Sequence, residues 1–258
     1  CEGRVSGLSD SGAIHVLLRI SRDGGRSFSP QQVLASDGEN TVGNPCPVYE
    51  PERGRILLFL NWNRGDGPEP QIKRKQAPRR VLLAVSGDMG ESWTPPRDLT
   101  AEVKPDSWTW YACGPGHALR TRDGTLLIPC DHHVFDPQTG DSPGAWSHVL
   151  RSDDRGESWT CGPSVGPQTN ESTLAELPDG RLYLNMRSFA GDGCRRVSFS
   201  RDGGRSWDVP RPDPGLPDPC CEGSALGVPG GVLFSNAADA SVRRRLTVRF
   251  SPDAAQWT

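Results

Sequence analysis

Two carboxylates and a few arginines are the side chains of this sequence whose types suit chemistry on a polar substrate. Asp10 sits in Ser9-Asp10-Ser11-Gly12, Glu171 follows Asn170, Arg187 lies in Asn185-Met186-Arg187-Ser188, and Arg243 opens a run of three arginines. A carboxylic acid can pass a proton to or from a reacting oxygen, and the planar arginine fork holds a carboxylate with paired donors. Each residue also has a plainer reading. Ser-Asp-Ser-Gly is a turn sequence, a Glu and an Arg on neighbouring strands commonly form a surface ion pair, and at most alternate members of an arginine run face one side of a strand. His117, His132 and His133 lack the carboxylate or cysteine spacing that would complete a ligand set, so neither a metal nor any other cofactor is expected.

The elements that must position these residues are legible as a repeat. Ser21 to Phe28, Ser86 to Trp93, Ser152 to Trp159 and Ser200 to Trp207 are copies of one motif, Ser-x-Asp-x-Gly-x-Ser-aromatic, and Ser251 to Trp257 is a worn fifth copy. In such a turn, Asp and Ser side chains bond backbone amides and Gly takes a positive φ, and the aromatic is expected to plug the core of its own hairpin. Alternating strands flank the turns, as in Ile14 to Ile20 and Val81 to Val85, and helix signals are almost absent. The copies recur at a spacing that suits four-stranded propeller blades, and five copies imply at least five blades. Residues 1–258 are read as one domain, with the Lys73 to Arg80 basic run as a solvated loop within it.

Composition narrows the function classes. Thirty Gly and 24 Pro, spread between short apolar runs, suit many strands joined by turns. A net charge of −3 leaves no global field for nucleic acid or an anionic membrane, so no nucleic-acid partner is expected. No apolar run is long enough for a transmembrane segment. The eight cysteines are read as buried thiols rather than a disulfide framework. The opening Cys1-Glu2-Gly3 has neither a starter Met nor a signal peptide and is read as lying inside a longer protein. Compartment and oligomeric state are not legible in the sequence.

Between the turns, the segments Glu2-Gly-Arg4, Ser9-Asp10-Ser-Gly, Val42-Gly-Asn-Pro-Cys-Pro47, Trp108 to His117, Asn170-Glu171 and Asn185-Met-Arg187-Ser occur in an order that resembles the exo-α-sialidase (neuraminidase) family over essentially the whole chain. The resemblance implies an all-β, six-bladed β-propeller of sialidase type, with about five blades in this chain, and a glycoside hydrolase acting on sialylated glycoconjugates. It implies Asp10 as acid/base and Glu171 as the base that activates a tyrosine nucleophile, the exception to paired carboxylates among glycosidases. Arg187 and Arg243 match two of three arginines that clamp the sugar carboxylate, with Arg244 one residue from the same place. Arg4 and Asn44 match softer substrate contacts, and Tyr111 is a further candidate for the pocket wall. The first clamp arginine and the tyrosine are expected beyond the two ends, and the chain alone is expected to be nearly inactive. A non-catalytic propeller that binds sialylated glycans or protein partners is the alternative, and a glycosidase for another sugar requires that Arg187 and Arg243 fail to converge.

Overall fold

The computed structural model describes residues 1–5, 7 and 9–258. Along them run β1 (Glu2–Arg4), β2 (Ile14–Leu18), β3 (Gln32–Ala35), β4 (Thr41–Glu50), β5 (Arg55–Asn63), helix α1 (Glu69–Lys73), β6 (Arg79–Ser86), β7 (Arg97–Asp98), helix α2 (Thr100–Val103), β8 (Trp108–Cys113), β9 (Leu119–Arg120), β10 (Leu126–Val134), β11 (Ala145–Ser152), β12 (Thr160–Cys161), β13 (Thr169–Glu176), β14 (Leu182–Ser188), β15 (Cys194–Ser200), β16 (Arg211–Pro217), β17 (Gly223–Val228), β18 (Gly231–Ala237) and β19 (Leu246–Ser251). They form four hydrogen-bonded sheets of seven, five, four and three strands. The seven-stranded sheet is two antiparallel groups, β1 to β3 and β4 to β7, joined by a parallel bridge between Ile14 and Thr41. No described helix is long and apolar enough to cross a membrane.

Strands such as β10 and β14 are buried on both faces, and the period of two sends alternate residues into different cores. Along β10, Leu126, Ile128 and Cys130 enter a layer shared with Val48, Phe59 and Leu83 of the first sheet. Leu127, between them, faces the other way and packs with Leu174, Leu184 and Met186 of the third sheet. Ala175, Tyr183 and Val197 of that sheet then meet Ala225, Val232 and Phe234 of the fourth. Successive sheets thus stack face to face, each buried Leu or Phe contributing about 1.5–3 kcal/mol.

The repeated turns have the bonding the sequence implies. In the third, Gly156 N donates to Ser152 Oγ at 2.7 Å, and Ser158 N and Oγ donate to the two Asp154 oxygens at 3.0 and 2.5 Å. These bonds, worked against by partial burial, hold the Asp154 carboxyl at about 2. In the third and fourth turns the aromatic goes elsewhere than its own hairpin. Trp159 packs edge-on at 4.7 Å against Phe59 of the preceding sheet, and Trp207 lies against the core that contains Leu127 and Val149. These two turns are therefore staples between sheets as well as hairpin tips, whereas Phe28 of the first turn is exposed beside Arg19. The worn fifth turn keeps Ala255 N on Asp253 at 3.0 Å and sends Trp257 Nε1 to Asp213 at 3.1 Å.

All eight cysteines are free thiols, but only Cys46, Cys113, Cys130 and Cys194 are buried; Cys161, Cys220 and Cys221 are half-buried and Cys1 is exposed. The Lys73 to Arg80 run is not wholly solvated either: its first residue ends α1, and Arg79 is buried at 3 % exposure.

Candidate active site

A cavity of about 640 Å³ opens where β1, β4, β8, β10, β13 and β14 converge, and Asp10, Glu171, Arg187, Arg243, Arg4 and Asn44 all line it. Six residues spread over more than two hundred positions meet there, Arg4, Asn44, Glu171 and Arg187 from strands β1, β4, β13 and β14 and Asp10 and Arg243 from loops.

On one side, Arg4 leaves β1 and reaches Asp10 at 2.7 Å, with Glu2 at 3.3 Å from the same guanidinium. Asp10 itself is 76 % exposed on the loop after β1. Glu2 also accepts the Asn44 amide at 2.6 Å. Asn44 sits in a bulge of β4 between Gly43 and Cys46, at φ +52, a left-handed conformation that Asn tolerates. The bulge aims its side-chain oxygen at Arg79, which donates to it at 2.6 Å.

Opposite, Glu171 of β13 and Arg187 of β14 are bonded at 2.8 Å with about a fifth of each side chain exposed. Burial works against the Arg187 charge, but Glu171 and the Cys220 sulfur, which accepts from Nε at 3.4 Å, outweigh it and hold the guanidinium firmly protonated. Arg243 stands in the loop between β18 and β19 and makes no hydrogen bond or ion pair among the described residues. Its neighbour Arg244 is turned away to Asp239 at 2.6 Å. The register is thereby fixed: Arg243, not Arg244, faces the cavity.

The floor holds groups that sequence reasoning passed over. Arg79 donates to the Tyr111 carbonyl at 2.9 Å, to Asn63 at 2.5 Å and to Asn44, and lies 4.1 Å over the Trp110 ring. Burial depresses it to about 10. Asp131 of β10 is fully buried, takes Asn170 Nδ2 at 2.8 Å on one oxygen and leaves the other without a described partner. Burial, reinforced by the Glu171 charge, pushes its carboxyl well above the usual range. Glu222 enters from the loop after β16.

Tyr111 is no part of the wall. Trp110 and Ala112 line the cavity, and alternation turns Tyr111 into the core behind it, fully buried. Tyr183 is buried as well, and Tyr49 is exposed at the far end of β4, so none of the three tyrosines lines the cavity. The histidines are absorbed by packing: His132 stacks on Trp108 at 3.3 Å and bonds His148 and Ser164 at 3.0 Å each, while His133 bonds Ser142.

The arrangement can hold an anion between two arginines, with a carboxylate at either side for proton transfer. Comparison with known proteins agrees in kind. The family described as BNR repeat-like domain matches residues 6–258. An exo-α-sialidase of Aspergillus fumigatus is 32 % identical over 98 % of this chain and 64 % of its own length. A sialidase of Micromonospora viridifaciens is 32 % identical over 99 % of this chain and 42 % of its own. The solved structure of the Hadza microbial sialidase Hz136 superposes with a TM-score of 0.85 at 28 % identity, over 97 % of this chain and 52 % of that one. This chain thus spans less than two thirds of each of these relatives. The fold is the sialidase β-propeller, and the chain belongs to the exo-α-sialidase family with BNR repeats.

Proposed function

We propose that this chain carries the sugar-binding and proton-transfer groups of an exo-α-sialidase, a retaining glycoside hydrolase that releases terminal α-linked sialic acid from glycoproteins, glycolipids or oligosaccharides. The observation that carries the reading is the convergence of Asp10, Glu171, Arg187 and Arg243 on one cavity. It also weighs against a glycosidase for a neutral sugar, which has no use for a pair of arginines. Residues 1–258 are taken as one propeller domain holding about five of six blades, a reading supported by the core layers that run unbroken from sheet to sheet.

In this mechanism Arg187 and Arg243 grip the sugar carboxylate and fix the ring. Asp10, on its exposed loop, gives a proton to the glycosidic oxygen as the bond to the aglycone breaks, and later takes one from the attacking water. Glu171 takes the proton of a tyrosine hydroxyl as that oxygen bonds the anomeric carbon, and returns it to the phenol as water displaces the tyrosine and that bond breaks. A neutral phenol approaches an anionic sugar without the repulsion a carboxylate would meet. The phenol is one other than Tyr49, Tyr111 and Tyr183. Arg4 and Asn44 border the acid/base loop and the sugar's polar face.

The protein carrying this chain is expected to cleave a fluorogenic α-sialoside, with Asp10→Ala and Glu171→Ala each lowering kcat by about 10²–10⁴-fold. Full activity in the double variant would refute the assignment. A second reading, sialoside binding without turnover, needs no more than Arg187 and Arg243, which both line the cavity. Binding without release of the fluorophore would establish it.

A further inference from the structure

The charges of the cavity do not balance in favour of an anion. Its wall carries six carboxyl groups and four guanidinium groups. Most are engaged: Arg4 with Glu2 and Asp10, Arg187 with Glu171, and Glu69 with Lys73. Asp131 is sealed in the floor. Among the carboxyl groups Glu222 alone is both unpaired and open, as Arg243 is among the guanidinium groups: no described residue donates a hydrogen bond to Glu222 and its side chain faces the cavity.

Its place is rigidly held. The buried Arg195 donates to Asn185 at 2.6 Å, to Asp218 at 3.5 Å and to the Cys221 carbonyl, and Asp218 in turn accepts the Cys221 amide at 3.0 Å. This clamp under residues 218–221 fixes the next residue, whose Oε1 lies so close to Gly116 that a Cβ there would meet it at 3.2 Å. The groups facing Glu222 are Glu171 of β13, Arg187 of β14, Arg195 of β15, Glu2 of β1 and Cys46 of β4. His117, next to Gly116, is tied to Ser224 at 3.4 Å.

We infer that Glu222 determines when this cavity accepts an anionic sugar: as a neutral acid it tolerates the substrate carboxylate, and as a carboxylate it repels it. The inference rests on the sialoside reading above and deepens it. Glu222 is exposed on its cavity side, while its carboxyl lies against Gly116 and the protein behind it. That burial, followed by the Glu171 charge and helped by Glu2, raises it to about 7 against the pull of Arg195 and Arg187. A bound carboxylate adds negative charge and raises it further. Affinity is then full on the acid side and falls as pH rises through 7, by about tenfold for each unit by which the ligand lifts the group.

Calorimetric titration of the protein with the methyl α-glycoside of N-acetylneuraminic acid tests this. Between pH 6 and 8.5 the Kd is expected to rise about tenfold, and at pH 7.5 buffers of different ionisation enthalpy should reveal uptake of about half a proton on binding. Glu222→Gln should abolish both effects, Glu222→Asp should retain them, and His117→Gln should leave them unchanged. A flat profile in the unmodified protein, or an unaltered one in Glu222→Gln, overturns the inference while leaving the sialoside reading intact. Absence of binding at every pH overturns the sialoside reading and this inference with it.

Discussion

Replacing Arg79 by Met tests whether the floor of the cavity is held by a single side chain. Its guanidinium serves three acceptors, the Tyr111 carbonyl, Asn63 and Asn44, at 2.9, 2.5 and 2.6 Å, and stacks on Trp110. Hydrogen bonds from a charged donor are worth about 1.5–3 kcal/mol each, so the gross loss is on the order of 4–9 kcal/mol. Against this stands relief from burying a charge, which costs several kcal/mol and whose sign is visible in the depression of Arg79 to about 10. The net expectation is a loss of about 3–5 kcal/mol, the range for removing one member of a buried charged network. In a chain of this size that lowers Tm by about 10 °C. Arg79→Lys keeps the charge but has one nitrogen for three diverging acceptors, so it should fall about midway. Urea unfolding followed by tryptophan fluorescence measures both variants. A loss below about 1 kcal/mol for Arg79→Met would mean that the acceptors find other donors, and the claim that Arg79 holds Asn44 in place would fail.

Two further outcomes can be checked in the same way. Burial pushes His132 and His133 down to about 3 and His148 well below its ordinary value, so the unfolded chain takes up protons first as pH falls. Their stabilisation is whole above about pH 6.5 and is lost progressively below it, at about 1.4 kcal/mol per pH unit for each histidine. Guanidinium midpoints at pH 7.5 and 5 should therefore differ, and His132→Phe should reduce the difference; equal midpoints would contradict the assignment. The stapling role of the turns is tested by one substitution at two equivalent places. Gly156 and Gly25 both have positive φ, but a Cβ at Gly156 would lie 2.4 Å from Leu57 of the neighbouring sheet whereas Gly25 has nothing within 4 Å. Both Gly→Ala variants incur the left-handed backbone cost, and Gly156→Ala should lose about 1–3 kcal/mol more. Equal losses would show that the turns do not bear on the sheets beside them.

The sequence carried the turns because their bonding is local: Asp23 and Ser27 are four residues apart and need nothing else in the chain to close the loop. It carried Asp10, Glu171, Arg187 and Arg243 through their order along the chain, not through any local pattern, since each of them alone reads as a turn or surface residue. Arg79 was lost in a basic run because its burial depends on a carbonyl 32 residues away, to which no periodicity points. Asp131 did leave a signal. A lone carboxylate inside Leu126-Leu-Ile-Pro-Cys-Asp131 sits in a strand buried on both faces, where an acid persists only if something holds it. Tyr111 was misplaced by one position of alternation, its neighbours Trp110 and Ala112 being the ones that face the cavity.

These residues divide the work of the site along physical lines. The groups assigned to proton transfer and anion capture, Asp10 and Arg243, stand on exposed loops, where a substrate can reach them. The groups that give the cavity its shape, Arg79, Asp131 and Arg195, are buried and bonded, and those bonds tie down the bulge at Asn44, the Glu171 strand and the Glu222 loop. A buried arginine stabilises less than an apolar residue of its size would, because desolvation offsets most of what its bonds return. Its advantage here is directional, since one planar fork ties a strand bulge, a strand end and a backbone carbonyl into a single orientation. Loss of Arg79 should therefore disturb binding through Asn44 even in a variant that stays folded, and that separates a positioning role from a merely stabilising one.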